Sequence, residues 1–298
     1  IGIDANRFDQ HVSAQALKFE HSVYQAFYPL EQDHLGQLLS WQLVNHGRTR
    51  SSDNVVFAYD KVGSRMSGDM NTSLGNCLLM CVMPLEYKRQ IGVEFMLANN
   101  GDDCQLVFDA KDVEAVRQPL EKFFMDFGFS MKIEDPVYEF EHIVFCQTQP
   151  VFNGKDWVMV RQYPLSLAKD TAICRDLSFK DASIWRWCLG SGGIALYGDM
   201  PILGVFYRRM KQSGRPGKSH EWADSGFARM AEGCSSRGPI VDDRARFSFY
   251  LAFGVLPQDQ VKMEESLRRW SPQDTHVDVA DYDHVGVYGM HPLAMGPR

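Results

Sequence analysis

The sequence predicts an α+β fold, an antiparallel sheet with packed helices, followed by a mainly helical second part. Three observations carry this. Two apolar runs of strand length, Val93–Ala98 and Cys104–Phe108, flank a tip of turn formers, Asn99-Asn100-Gly101-Asp102-Asp103, which is the pattern of a hairpin. Directly after it, Asp109 to Phe127 carries Val113, Val116, Leu120, Phe123 and Phe127 as one stripe and stops at Gly128, the pattern of an amphipathic helix. From Pro164 onward the texture changes to helical segments separated by glycine-rich breaks.

The chain has 298 residues, enough for one large domain or two moderate ones. Hydrophobic residues at 45% and charged residues at 23% are ordinary for a globular protein and exclude disorder. A net charge of −7 does not advertise a nucleic-acid binder, but a whole-chain sum hides local patches and counts acids that a metal would neutralise. Seven cysteines, an odd number at scattered positions, do not form a disulfide framework and fit a reducing, cytoplasmic compartment. Cys77 and Cys81 lie four apart on an apolar helix, yet no Cys or His follows at zinc spacing, so core thiols are the expectation. No apolar stretch approaches the roughly 20 residues that span a bilayer. The chain opens on Ile1 rather than Met, directly on a strand, and is expected to be a fragment.

Taken in order, Ile1 to Asp4 reads as a strand ending in a carboxylate, and Asp9 follows five positions later after a turn. Ser13 to Phe27 has the spacing of a helix, with Leu17, Tyr24 and Phe27 on its stripe. Gln32 to Arg65 is mixed and polar, an insertion of short elements in which Arg48, Arg50, Lys61 and Arg65 either contact phosphates or form a solvated face. Ser67-Gly68-Asp69-Met70-Asn71 is a loop feeding a helix from Thr72 to Met83. Thr72 and Asn76, four apart, share a helix face and suit a sugar or phosphate; the plainer alternative is a capping Thr and a backbone-paired Asn.

Beyond the central hairpin and its helix, Phe129 to Ile133 alternates as a strand and carries Lys132. A strand pair is expected at His142 to Cys146 and Trp157 to Arg161, around Asn153-Gly154. Helices follow at Lys180 to Leu189, Pro201 to Lys211, Glu221 to Ala231 and Gln260 to Trp270. Gly190-Ser191-Gly192-Gly193 lacks the Lys-Ser/Thr ending of a P-loop and reads as a turn. The basic run Arg208, Arg209, Lys211, Arg215 and Lys218 contains no acid and suits either RNA backbone or solvent. The tail after Asp281 is expected to be loosely held.

A carboxylate at a strand end, a glycine loop with Thr and Asn on a helix, and a carboxylate pair on a hairpin converge on one chemistry. Carboxylates from separate strands can hold two divalent cations about 3.5–4 Å apart and clamp an in-line phosphoryl displacement. Hard oxygen ligands select Mg²⁺ or Mn²⁺.

These residues resemble the viral RNA-dependent RNA polymerases. Asp4 through His11 is similar to their motif A, Ser67-Gly68 through Thr72 and Asn76 to motif B, and Gly101-Asp102-Asp103 to motif C. The fuller strings Ala98 to Cys104 and Phe145-Cys146-Gln147-Thr148 resemble the tombusvirus group of plus-strand RNA virus replicases. The resemblance implies that Asp4 and Asp102 are the principal metal ligands, with Asp103 assisting. It implies that Asp9 and Asn76 lie near the ribose hydroxyls of the incoming nucleotide and that Ser67, Gly68 and Thr72 line the nucleotide and template site. Lys132 resembles the motif D lysine that protonates leaving pyrophosphate, with Lys122 as a weaker candidate. Phe145, Cys146 and Gln147 resemble motif E, which supports the primer end, and Arg208, Arg209 and Lys211 are candidate RNA contacts.

The fold so implied is a right hand, with residues 1–163 as palm, about 32–65 reaching into the fingers, 164–298 as thumb, and the N-terminal fingers missing. The activity implied is addition of nucleoside monophosphates to an RNA 3′-OH. RNA template, nascent strand, nucleoside triphosphates and other replicase proteins are the implied partners, and the host cytoplasm, on membrane-associated replication complexes, the implied location. The alternatives are a catalytically silent RNA-binding scaffold that keeps the palm fold, and a two-metal nuclease or phosphatase.

Overall fold

The computed structural model describes residues 1–172, 177–223 and 225–272. The tail after Asp281 lies outside them. The chain divides into two compact units, Ile1–Tyr138 and Glu139–Arg298. This division falls earlier than the change of texture at Pro164.

The first unit runs β1 (Gly2–Ala5), α1 (Phe8–His11), α2 (Ala14–Phe27), α3 (Gln32–Ser40), β2 (Val44–Arg50), β3 (Val56–Val62), α4 (Thr72–Ile91), β4 (Met96–Asn100), β5 (Asp103–Val107), α5 (Val113–Arg117), α6 (Leu120–Asp126) and β6 (Met131–Ile133). Four strands form an antiparallel sheet in the order β4-β5-β1-β6. Period-two alternation sends Ile3 and Ala5 into the core and turns Asp4 to the opposite face. The core beneath gathers Ile3, Phe8, Leu17, Met80, Tyr87, Leu106, Leu120 and Phe124, with Phe8 stacked on Phe129 at 4.7 Å between ring centroids.

Two helices of this unit depart from expectation, each at a proline. Helix α4 does not end at Met83 but continues through Pro84 to Ile91, closed by Gly92 at φ 68°. An interior proline costs about 3 kcal/mol, and burial of Pro84 and Tyr87 on the same helix outweighs it. Tyr87 also donates its hydroxyl to the Val116 carbonyl at 2.6 Å. The single helix expected over Asp109 to Phe127 is instead a 3₁₀ turn (Ala110–Asp112) followed by α5 and α6, broken at Gln118-Pro119. The middle of the stripe survives the break, because Val116, Leu120 and Phe123 are still buried, but its last expected member, Phe127, lies past the end of α6 and is exposed. The insertion forms α3 and the β2–β3 hairpin, whose second strand is exposed along its whole length.

The second unit runs β7 (Thr148–Phe152), β8 (Trp157–Arg161), α7 (Tyr163–Lys169), α8 (Phe179–Tyr197), α9 (Leu203–Gln212), α10 (His220–Ala223), α11 (Gly226–Ala231), α12 (Asp243–Phe253) and α13 (Pro257–Arg269). The strand expected at His142 to Cys146 is displaced to Thr148–Phe152. Residues Phe140–His142 form a 3₁₀ turn, and Cys146 and Gln147 take positive φ of 51° and 59°, which no strand tolerates. The hairpin packs on α12, where the Gln149 amide donates to the Ala252 carbonyl at 2.7 Å and the Ser248 hydroxyl accepts from Phe152 N at 2.8 Å. Helix α12 has no counterpart among the sequence expectations.

Gly190-Ser191-Gly192-Gly193 is not a turn but the middle of α8. A Cβ on Gly190 would lie 2.3 Å from the Lys211 backbone nitrogen, and one on Gly193 would lie 2.1 Å from the Tyr207 ring. The glycines are there because α8 and α9 approach at backbone contact. That interface buries Tyr197, Leu203, Phe206 and Tyr207.

Candidate active site

The first unit assembles two polar clusters. The first arises from strand register. In β1 and β5, Asp4 pairs with Asp103; in β1 and β6, Asp4 pairs with Lys132. Directly opposed residues in antiparallel strands share a face, so Asp103, Asp4 and Lys132 form one rung across three strands. Asp102 follows Gly101 in the two-residue turn between Asn100 and Asp103, and Gly101 takes φ 78°, a conformation natural to glycine. Partial burial raises the pKa of the Asp4 carboxyl above its usual value, the negative charges of Asp102 and Asp103 raise it further, and Lys132 opposes them.

Asn99 holds this turn in place. Its side-chain carbonyl accepts from Gly101 N at 2.8 Å, and its amide donates to the Cys77 carbonyl at 2.9 Å and to Cys81 Sγ at 3.3 Å on α4. Cys77 and Cys81, expected as core thiols, are half-buried instead and receive the hairpin tip.

The second cluster centres on Asp9, in the short helix α1 that follows a left-handed Arg7 at φ 53°. Ser67 Oγ donates to Asp9 Oδ2 at 2.6 Å and Asn76 Nδ2 donates to Asp9 Oδ1 at 2.8 Å. Asn76 is buried, and among the described residues its Oδ1 meets no donor. Neither the capping Thr nor the backbone-paired Asn of the plainer alternative is found: the Thr72 hydroxyl donates to the Met66 carbonyl at 2.7 Å and closes the loop, while Asn71 occupies the cap position. Gly68 faces open space. A Cβ built on Gly101 would lie 3.6 Å from Asn76 Cβ, so the hairpin tip rests on the helix face that carries Asn76.

The remaining candidates lie elsewhere. Phe145 and Thr148 exchange backbone hydrogen bonds at 2.9 and 3.0 Å around Cys146 and Gln147, making a tight turn. Arg208 donates to the Gly198 carbonyl at 2.7 Å, Arg209 to the Trp270 carbonyl at 2.7 Å, and the Lys211 ammonium lies 5.5 Å from the Trp187 ring centroid. Each of the three has a contact within the fold. Lys122 pairs with Asp126 at 2.7 Å on the surface of α6. Arg65 corrects its expectation outright: it is neither a phosphate contact nor a solvated charge but is buried against Glu20. Sequence inspection missed Glu20, Asn99 and Gly75 as site-building residues. For Asn99 the signal was present, because Asn two residues before a positive-φ Gly readily caps the turn.

Among the described residues, no three His, Cys, Asp or Glu side chains already encircle a metal position. The donor set nonetheless fits a hard divalent cation: three carboxylates at one sheet end, with the charged form of Asp4 disfavoured by its two acidic neighbours, are what such a cation stabilises.

Acids lined up at one turn of an antiparallel sheet are a donor set suited to two-metal phosphoryl transfer. The chain belongs to the viral RNA-dependent RNA polymerase family, which matches residues 1–275. It is 41% identical over 295 residues to the RNA-directed RNA polymerase of Turnip crinkle virus, covering 94% of this chain and 37% of that protein. It is 40% identical to that of Tomato bushy stunt virus (strain Cherry), covering 91% and 33%, and 38% identical to that of Tobacco necrosis virus (strain A), covering 98% and 40%. The chain thus spans between 33% and 40% of the length of these relatives.

Proposed function

We propose that this chain is the palm and thumb, residues 1–163 and 164–298, of a replicase that copies RNA from RNA in the host cytoplasm. It adds nucleoside monophosphates to an RNA 3′-OH and releases pyrophosphate. The observation that carries the reading is the rung of Asp103, Asp4 and Lys132 with Asp102 at its end.

Asp4 and Asp102 are the principal ligands and Asp103 assists. Two Mg²⁺ or Mn²⁺ ions held there would activate the attacking hydroxyl and neutralise charge on the leaving oxygens. Lys132, on the same rung, is within the field of Asp4 and is the candidate to donate a proton to pyrophosphate. Asp9 accepts from Ser67 and Asn76 and as a carboxylate keeps further acceptor capacity, and beside it Asn76 Oδ1 is a buried acceptor without a donor. The complement of such acceptors is a ribose hydroxyl, and a deoxy sugar forfeits that hydrogen bond, at a cost of about 1–3 kcal/mol. Gly68 and Thr72 shape the loop beside the sugar. The turn at Phe145, Cys146 and Gln147 supports the primer end. For Arg208, Arg209 and Lys211 the fold contacts are the better account, and backbone phosphate falls to Arg215 and Lys218 of the same run, both exposed. Among the described residues no helix is long and apolar enough to cross a membrane, so attachment to membranes passes to other replicase proteins or segments.

The test is template-directed incorporation by the full-length protein. Replacing Asp4 and Asp102 together by Ala is expected to abolish it, with losses of at least ~10²-fold for either alone. Incorporation that survives the double replacement refutes the reading. RNA binding without any incorporation by the unaltered protein would instead make it a scaffold.

A further inference from the structure

We infer that Glu20 and Arg65 are positioning residues for sugar selection: their buried ion pair closes the base of the Met66–Asn71 loop and thereby holds Ser67 and Asn76 on Asp9. The inference rests on the reading of Asp9 and Asn76 as the ribose site.

Both side chains are wholly buried, which is the first thing to explain. Removing two charges from water costs several kcal/mol per ion, and an apolar pair of similar volume would often serve stability equally well. What an apolar pair cannot do is set several directions at once. Glu20 Oε1 accepts from Arg65 Nη1 at 3.3 Å, from the Tyr24 hydroxyl at 2.8 Å and from Asn71 Nδ2 at 2.7 Å, while Oε2 accepts from Arg65 Nη2. Arg65 immediately precedes the loop and Asn71 ends it. A single carboxylate on α2 therefore grips both ends.

Each grip leads to the sugar site. The Arg65 backbone N–H donates to the Asp9 carbonyl at 2.8 Å, so the segment entering the loop is tied to the residue that Ser67 must reach. On the other side, Gly75 is the residue before Asn76, and a Cβ there would lie 2.4 Å from Glu20 Oε1 and 2.5 Å from Arg65 Nη2. The ion pair thus lies directly against the turn of α4 that presents Asn76. Asn71 is held further by Gln42, whose amide donates to Asn71 Oδ1 at 2.7 Å. By contrast Gly68 faces open space and Met70 is fully exposed, so the middle of the loop is shaped by its base. Weakening the pair moves Ser67 and Asn76 relative to Asp9 without touching any group that meets the nucleotide.

The experiment uses the full-length protein and compares kcat/KM for a ribonucleoside and a deoxyribonucleoside triphosphate of the same base on one RNA template. Arg65→Lys, which keeps the charge but loses the fork, and Glu20→Gln, which keeps the shape but loses the charge, are each expected to lower the ribo/deoxy ratio by ~10-fold or more. Tyr24→Phe removes one donor and keeps both charges; it is expected to lower the ratio less, and it decides the matter if the other two fail to fold. A ratio that holds while both substrates slow together makes the pair merely structural and overturns the inference. Asn76→Ala separates the two claims: if it leaves the ratio unchanged, the sugar-site reading fails and takes the inference with it. If it lowers the ratio and the Glu20 and Arg65 variants do not, only the inference fails.

Discussion

The acids of the Asp4 rung are treated differently from those of the second unit. In the second, Asp170 takes Arg161 at 3.0 and 3.1 Å and the Tyr207 hydroxyl at 2.6 Å, Glu264 takes Arg246 at 2.9 and 3.1 Å, and Asp199 takes Arg237 at 3.2 Å. Burial raises the carboxyls of both Asp170 and Asp4, but Arg161 and the Tyr207 hydroxyl oppose that shift at Asp170, whereas Asp102 and Asp103 add to it at Asp4. Matched charges are what a stable framework needs. Crowded like charges oppose folding and persist where a ligand is to resolve them.

The comparison is open to breakage from both sides. The largest expected effect is at the crowded acids: Asp4→Asn in the full-length protein should lower incorporation by at least ~10²-fold without lowering the thermal midpoint, because it removes repulsion. A midpoint that falls together with activity would make Asp4 a framework residue. Next, Asp170→Ala should cost about 3 kcal/mol, since it strands Arg161 in a partly buried place, and hydrogen exchange in α7 and α9 should rise accordingly. Wild-type exchange there would show that the matched acids contribute little. Gly193→Ala should cost about 2 kcal/mol by overpacking against Tyr207, whereas Gly68→Ala, with open space around it, should alter stability by no more than ~0.5 kcal/mol while slowing incorporation.

The smallest effect is a pH dependence of the first unit. Burial lowers the pKa of His21 below 6.5, against the hydrogen bond its ring donates to the Gln42 side-chain oxygen at 3.2 Å and the charge of Glu20, which favour the cation. The unfolded chain therefore binds the proton more readily, so this residue destabilises the fold as pH falls through 6.5 toward the lowered value. Unfolding followed between pH 7.5 and 5.5 should show a shallower acid limb in His21→Gln than in the parent. Superimposable limbs would remove His21 from the account.

Much of the first unit was legible because its signals are local. Asn-Gly at a turn, alternation around Asp4, and the stripe ending at Gly128 all declare themselves within a few residues. What could not be read is long-range. That Asp4 would face Asp103 on one side and Lys132 on the other depends on pairing between strands about 100 and 130 residues apart in sequence, which no local period encodes. Arg65 looked like one of several scattered cations because its partner lies 45 residues away on helix α2. Prolines misled in both directions: Pro84 suggested an end where burial carried α4 on, and Pro119 breaks a helix whose apolar stripe looked continuous. The glycine run in α8 looked like a loop because glycine disfavours helices, but close approach of Tyr207 and Lys211 demands it there. The stripe Ala245, Ser248, Phe249 and Ala252 did carry the period of α12, diluted by Ser and two small residues.

The rung of Asp103, Asp4 and Lys132 also says which kinds of change this protein can absorb. Because side chains alternate along a strand, inserting or deleting one residue in β1, β5 or β6 would turn an acid or the lysine to the opposite face, however conservative the residue added. Exchanging Ile3 for another apolar residue would leave the rung intact. Over generations of copying, the strands of this sheet are therefore constrained first in length and only then in composition. The fully exposed β3 and the loop joining it to β2 carry no such constraint and are where length variation should accumulate.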